Sequence, residues 1–599
     1  MKITRIGAAV AAVGVGALVL SGCTAPEEAD SGLEEGTSVN IAWNQAFYSY
    51  NGNTSFGNAT ANNNITSLTL GGFNYYNNVP ELVTDTSFGT YELVSEDPQV
   101  VEYTLAEGLE WSDGTPVDAT DLLLSWAANS NAFNDAEFDA SEFQDPETGQ
   151  LNEDFPEDQI FFDAGGTSLD LVTETPEVSD DGRTITLTYD APAIDWELLL
   201  PAPLPAHVVA KNALDIEDND EAKDAILAAI QDEDAAAMAP ISATWNSIFN
   251  FQSLPEDPEL YLSSGPYIIS AFEADQFITL VANENYKGEN TPNIEEVTIR
   301  FIPDPLAAVS ALENGEVDVI SPQATTDVVA GLEAIDGIEI ITGIEGTYEH
   351  VDLQFDQSKS GHFNNPLIRE AFLKTIPRQA IVDTLIAPIT GDAAEVRNSQ
   401  VFVPGADGYD DSVADNGSDA YAEVDIEGAT ALLAEAGVTS PEVCLLYASN
   451  NPRRVNEFAL IQDSANQAGF NVTDCGSEDW GGLLGTPGAY DASLFGWQST
   501  STLPTNSSPT FRTGGINNLT FYSNAEVDEL LDELDVTFDT DRQIEIQQEI
   551  DALLWADAYG VTIFQFPGVT GVSDRIVGVD PGPIAPTIFW NVWDWTVSE

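Results

Sequence analysis

Side chains that usually carry chemistry are scarce in this chain and poorly spaced for it. Three histidines occur in 599 residues, His207, His350 and His362, and none shares the spacing of a zinc site. The sequence has no Gly-x-Ser-x-Gly elbow, no Gly-rich phosphate loop ending in Gly-Lys-Ser/Thr and no His-Glu-x-x-His. Carboxylates are plentiful, with 101 Asp plus Glu against 17 Lys plus Arg. Paired acids are therefore guaranteed by composition and do not argue for glycoside hydrolysis. The pattern favours binding over catalysis, without metal or cofactor.

The cysteines carry more information. Lys2 and Arg5 form a positive start, and an apolar run from Ile6 to Leu20 follows. That run is shorter than the roughly 20 residues of a membrane span, so a signal peptide fits it better. It ends in Leu20-Ser21-Gly22-Cys23, which resembles the bacterial lipobox. Small residues fit a peptidase cleft, and the Cys23 thiol would accept diacylglycerol, whose two chains hold a membrane firmly. Thr24 to Gly36 is small and acidic and reads as a tether. Two cysteines remain. Cys444 lies in a strand-like Glu442–Tyr447 and Cys475 just beyond Phe470–Thr473, with a helical stretch near Arg453–Gln467 between them. This is the pattern of one βαβ unit with adjacent strands, and a Cys444–Cys475 disulfide is expected in an oxidising compartment. Closing that loop would contribute roughly 3–4 kcal/mol.

Strand-like and helix-like segments alternate along the body, which argues α/β architecture in two or three domains. An early strand, Val39–Trp43, runs into a loop rich in Asn, Tyr and Gly. A formal net charge of −84 makes nucleic acid and anionic lipid surfaces poor partners. It reads as a solvated surface, or alternatively as a field that steers cationic ligands.

Several motifs together resemble the large extracytoplasmic solute-binding proteins of the oligopeptide and dipeptide type. Tyr103 to Val117, with Trp111-Ser112-Asp113-Gly114-Thr115-Pro116, matches the signature turn, and Thr120 or Asp121 is expected to cap the helix that follows. Ser264-Gly265-Pro266-Tyr267, Asn283–Tyr286, Glu313-Asn314-Gly315-Glu316-Val317-Asp318, Pro366–Phe372 and Tyr522-Ser523-Asn524 follow in family order. The resemblance implies a periplasmic-binding-protein-like two-lobe α/β clamp with an extra subdomain in the N-terminal lobe. Residues 1–22 would be the signal peptide and 23–37 the tether. Lobe I would take 38–57, 191–303 and 567–599, the extra subdomain 58–190, and lobe II 304–566. The hinge crossings would fall near Pro303-Asp304-Pro305 and Phe564–Pro567.

The same resemblance implies a monomer that takes a short peptide for an ABC permease and its ATPase, held at the membrane through its lipid anchor alone. Oligosaccharide or another polar solute is the first alternative, and a surface-anchored hydrolase the second. Candidate ligand contacts are Asn44, Gln45, Phe47, Tyr48 and Tyr50 after the first strand, though a loop packed on itself reads equally well. Opposite them stand Thr347 and Tyr348, which are alternatively an ordinary strand. Trp497 and Thr500 complete the set, with a core role as the alternative for the Trp. Peptide binders of this family often place an acid where Thr500 stands and a base where Leu494 stands. Both charges are missing here, so recognition of peptide termini by them is not expected.

Overall fold

A computed structural model describes residues 33–598, apart from 136–137, 139–142, 146–147, 153, 165–167 and 499–500. Cys23, the signal segment and Thr500 lie outside the described residues.

The organising element is one ten-stranded sheet. Its strands are β1 (Glu34–Trp43), β2 (Tyr267–Glu273), β3 (Phe277–Ala282), β4 (Ile294–Phe301), β5 (Val319–Ile320), β6 (Ile338–Leu353), β7 (Glu442–Tyr447), β8 (Asn471–Asp474), β9 (Ala492–Gln498) and β10 (Gly560–Ser573). They lie in the order β8-β7-β9-β6-β10-β5-β1-β4-β3-β2. Alternation along β1 explains its place: Val39 and Ile41 enter one hydrophobic cluster, while Ala42 enters another on the opposite face. The strand begins inside the stretch read as a tether, because Glu34 pairs with Ile294 and Gly36 donates to the Glu295 carboxylate.

Two large apolar cores hang from this sheet, with three smaller clusters beside them among the described residues. The first joins β1 to β4 with helices Ala119–Asn129, Ala206–Leu214, Asn219–Gln231 and Ala235–Ser247, and with the C-terminal Phe589, Val592 and Trp595. It also takes Val101, Tyr103, Ile185 and Leu187 from a four-stranded antiparallel sheet, so that subdomain shares its core. The second core gathers Val351, Leu353, Phe372, Leu445, Leu494 and Phe566. Strand β10 changes sides along its own length. Val561, Ile563, Phe564 and Phe566 belong to the second core, whereas Val569 and Val572 pack with first-body residues.

The outward crossing lies later than the sequence reading placed it. Asp304 caps helix Pro305–Glu313 by accepting from Ala307 N. Ala308 and Leu312 then cluster with Ala42, Ile320, Leu332 and Val569. The chain therefore stays with the first body until midway along β6. Apolar residues at helical spacing hold this segment down, a pull that a Pro-Asp-Pro turn does not reveal.

The signature turn is a buried clasp. Trp111 is fully buried, and its indole donates to Asp121 at 3.4 Å. Asp113 accepts from Thr115 N and lies 3.2 Å from the His207 ring, while Lys223 bridges Asp118 and Asp121 at 3.0 and 2.9 Å. The helix cap is Asp118, with Asp121 completing a capping box, in place of the expected Thr120 or Asp121 alone. Cys444 and Cys475 are bonded, with Cα atoms 5.6 Å apart on the parallel neighbours β7 and the end of β8.

Candidate functional site

The two bodies meet where β6 and β10 both break register. Ile344 pairs with Pro567 and Tyr348 with Gln565, so Glu345, Gly346 and Thr347 stand against Phe566 alone. Such a bulge bends the strand and leaves residues unpaired. The freed backbone is held by its surroundings: the Gln565 amide donates to Glu345 O at 2.7 Å and Thr347 O at 3.0 Å, and Gly346 N donates to Pro583 O at 2.7 Å. Beside the bulge, Gly496 of β9 lets three strands approach. A Cβ there would come within 2.8 Å of Phe566 and 2.9 Å of the Thr347 methyl.

A cluster of charges adjoins this crossing. Helix Pro452–Ala468 starts at Asn451, whose side chain accepts from Arg453 N and donates to Gln323 of the first body at 3.4 Å. Arg453 Nη2 donates to Glu349 Oε2 at 2.8 Å and Arg454 Nε to Glu349 Oε1 at 2.9 Å. Glu457 lies 3.4 Å from Arg453 Nε. The Arg453 guanidinium also stacks on Phe566 at 4.0 Å, and Arg454 lies over Trp480 at 5.1 Å. Glu349 and Glu457 are fully buried. Burial, then the Glu349 charge, pushes the Glu457 carboxyl up to about 8 against the pull of both arginines. Burial likewise pushes Glu345 up to about 7, with Arg453 acting in the opposite sense. Sequence reasoning missed this group. An adjacent Arg453-Arg454 pair in a chain with 17 basic residues was the available signal.

The residues expected to line a cleft are divided by the structure. Asn44 and Gln45 are exposed just beyond β1. Phe47 is 2% exposed, wedged against Phe251 and Phe272, and so serves the first core. Tyr48 is half-buried against Phe56, and Tyr50 is buried with its hydroxyl donated to Leu262 O. Thr347 sits in the bulge. Tyr348 is buried beneath the Arg397 guanidinium at 3.7 Å and pairs with Trp497. Trp497 is half-buried and joins Tyr348, His350, Asp352 and Phe511 around a void of about 10 Å³, room for roughly one water.

A larger cavity, about 330 Å³, opens in the first body among Tyr75, Tyr76, Tyr286, Trp593 and the amides of Asn53 and Asn63. The Tyr76 hydroxyl at its rim accepts from Thr502 N of the second body at 3.4 Å. Nearby contact between the bodies is acidic. Buried Asp195 is pushed up to about 7 by burial and by Asp535, which itself accepts from Arg512 at 2.7 Å.

Comparison with known proteins places this architecture. Residues 78–518 match the family described as bacterial extracellular solute-binding proteins, family 5 Middle, and the chain belongs to that family. An uncharacterised lipoprotein of Mycobacterium tuberculosis is 24% identical over 572 residues, covering 92% of each chain. The oligopeptide-binding protein OppA of the same species is 23% identical, covering 82% of this chain and 73% of its own. Among solved structures, the periplasmic EDTA-binding protein EppA superposes with a TM-score of 0.79 at 22% identity, covering 95% of this chain and 97% of its own. AppA of Bacillus subtilis, solved with a nonapeptide, gives 0.68 at 17% identity, covering 94% and 99%. The fold is the two-lobe clamp of that family, as the sequence motifs implied.

Proposed function

We propose that this protein is the extracytoplasmic, lipid-anchored receptor of an ABC importer, closing on a short peptide between its lobes and handing it to a permease driven by partner ATPases. The observation that carries the reading is the pair of separate cores joined through β6 and β10 at one common bulge. Such a waist bends with little loss of packing, and a ligand that touches both lobes favours the closed form. Lobe I then comprises residues 33–344 and 568–598, and lobe II residues 348–566.

The exposed Asn44 and Gln45 and the half-buried Thr347 and Trp497 supply polar and aromatic contact without fixing a side chain, which suits a loosely specific peptide binder. Phe47 contributes through its packing only. Peptide binders stand among the relatives and the structural neighbours by name. Attachment through Cys23 agrees with lipoprotein relatives, and no described helix is long and apolar enough to cross a membrane. A second reading, a sugar-like neutral solute, draws on the aromatic and amide walls of the 330 Å³ cavity.

Thermal unfolding in the presence of peptide and oligosaccharide pools tests the reading. Ligand at a hundredfold over Kd adds about 2.7 kcal/mol of stability. Stabilisation by peptides supports the proposal. Stabilisation by sugars alone, or turnover of either pool, rejects it.

A further inference from the structure

We propose that the Cys444–Cys475 bond is a thiol–disulfide exchange site, opened by a dithiol reductant at Cys475 while the Lys359 ammonium holds the departing Cys444 thiolate, and that opening it releases the segment seating Trp480. This goes beyond solute capture and does not depend on which solute is taken.

The bond sits where a reductant reaches it. Strand β8 is the outermost strand of the ten-stranded sheet and pairs with β7 alone. Cys475 follows its last residue and is half-buried, whereas Cys444 within β7 is fully buried. The outer sulfur is therefore the one open to attack, and the inner sulfur is the leaving group.

A cation covers the pair. The Lys359 ammonium donates to Cys444 Sγ at 3.4 Å and lies 4.0 Å from Cys475 Sγ. The backbone places it there, because Lys359 N donates to Tyr490 O and Ser360 N to the Asp491 carboxylate. Lys211, Lys223 and Lys374 each pair with a carboxylate. Among the described residues Lys359 has no such partner, and its ammonium meets sulfur instead. An adjacent cation lowers a thiol pKa, and a thiol of lower pKa leaves faster. The opposing charge is the buried Asp491, whose carboxylate accepts from Cys444 N at 2.8 Å and Ser360 N at 2.7 Å. It disfavours a second anion beside it, so the ammonium decides whether a Cys444 thiolate is tolerated.

The exchange balances. A reductant thiolate attacks Cys475 Sγ, the S–S bond breaks, and its electron pair leaves on Cys444 Sγ. The second thiolate of the reductant then attacks its own sulfur in the mixed disulfide and expels the Cys475 thiolate. The dithiol is oxidised to a disulfide, the two cysteines are reduced, and they take up the two protons that the dithiol gave up. The consequence is local. Trp480 and Leu483 pack on the same small cluster as the two cysteines, and Trp480 carries the Arg454 guanidinium at 5.1 Å. With the bond open, that segment is tied to β7 only through the backbone, from Cys475 N to Leu445 O and from Ser477 N to Tyr447 O.

Reduction of the folded full chain by dithiothreitol tests this, with free thiols counted by alkylation and mass spectrometry. About 1 M NaCl screens long-range steering of the anionic thiolate and leaves the contact at the sulfurs. Lys359→Met is expected to slow reduction at least about threefold, the effect of one pK unit on the leaving thiol at a Brønsted slope near 0.5. Lys359→Arg should restore most of the rate. Lys359 is exposed, so neither variant threatens the fold. Glutathione added to the wild type should be trapped on Cys475, and amide exchange over 475–484 should rise on reduction while that of lobe I stays unchanged. Equal rates in wild type and Lys359→Met, glutathione on Cys444, a bond that opens only in denaturant, or unchanged amide exchange over 475–484 each overturns the proposal.

Discussion

Replacing Glu349 by Gln removes the anion that ties the helix Pro452–Ala468 to β6. The side chain is fully buried and accepts two guanidinium bonds, at 2.8 and 2.9 Å. Removing one partner of a buried charge pair costs about 3–5 kcal/mol, because the remaining charge stays desolvated. Here a second acid stands ready to respond. Glu457 is held up to about 8 by burial and by the Glu349 charge, so in the wild type it is protonated when folded and ionised when unfolded across pH 4.5–8. The folded state then binds the extra proton, and this group's contribution to wild-type stability is lost as pH rises through that window. In Glu349→Gln the charge raising Glu457 is gone and both arginines pull it down, so that loss shrinks. The deficit of the variant is therefore expected to be about 3–5 kcal/mol at pH 5 and distinctly smaller at pH 8. Urea unfolding followed by tryptophan fluorescence at the two pH values measures it. A deficit under about 1 kcal/mol at pH 5, or one that widens with pH, would refute the reasoning.

Further outcomes follow from other buried groups. Asp551 accepts from Ser399 Oγ, Gln400 N, Ser412 Oγ and Asn416 Nδ2 at 2.7–2.9 Å, so Asp551→Ala strands four donors and should cost at least about 3 kcal/mol in denaturant unfolding. Asp195 is held near 7 by burial and then by Asp535, so Asp195→Asn should raise the melting temperature at pH 8, with the gain shrinking as pH falls from 7 to 4. An unchanged melting temperature at pH 8 would contradict that assignment. Reducing the Cys444–Cys475 bond, which closes a separation of 31 residues, should lower stability by about 3–4 kcal/mol on the chain-entropy model, read by calorimetry with and without reductant.

Local chemistry was legible from the amino acids alone. The βαβ unit around the cysteines follows from the apolar runs Glu442–Tyr447 and Phe470–Thr473 on either side of one helical stretch, because strand pairing across one helix needs no distant information. The signature turn follows from Asp113-Gly114, with Gly114 at φ 87, although its cap moved to Asp118. The family and the clamp were readable too, since motif order survives where single motifs are ambiguous. Phe47 shows the limit of such reading. An aromatic after a strand looks the same whether it meets a ligand or Phe251 and Phe272.

The crossing point was decided by tertiary structure. Whether 305–344 stays with lobe I depends on Ala42 and Val569, which are hundreds of residues apart in sequence but share one cluster. The charge cluster is non-local in the same way: Glu349 and Arg453 meet across β6 and a helix start separated by 104 residues. Sequence fixes which residues are apolar, acidic or able to turn. Only the packed chain decides which acid meets an arginine and which is pushed up by burial, as Glu349 and Glu457 show, because burial and counter-charge belong to the surroundings and not to the residue.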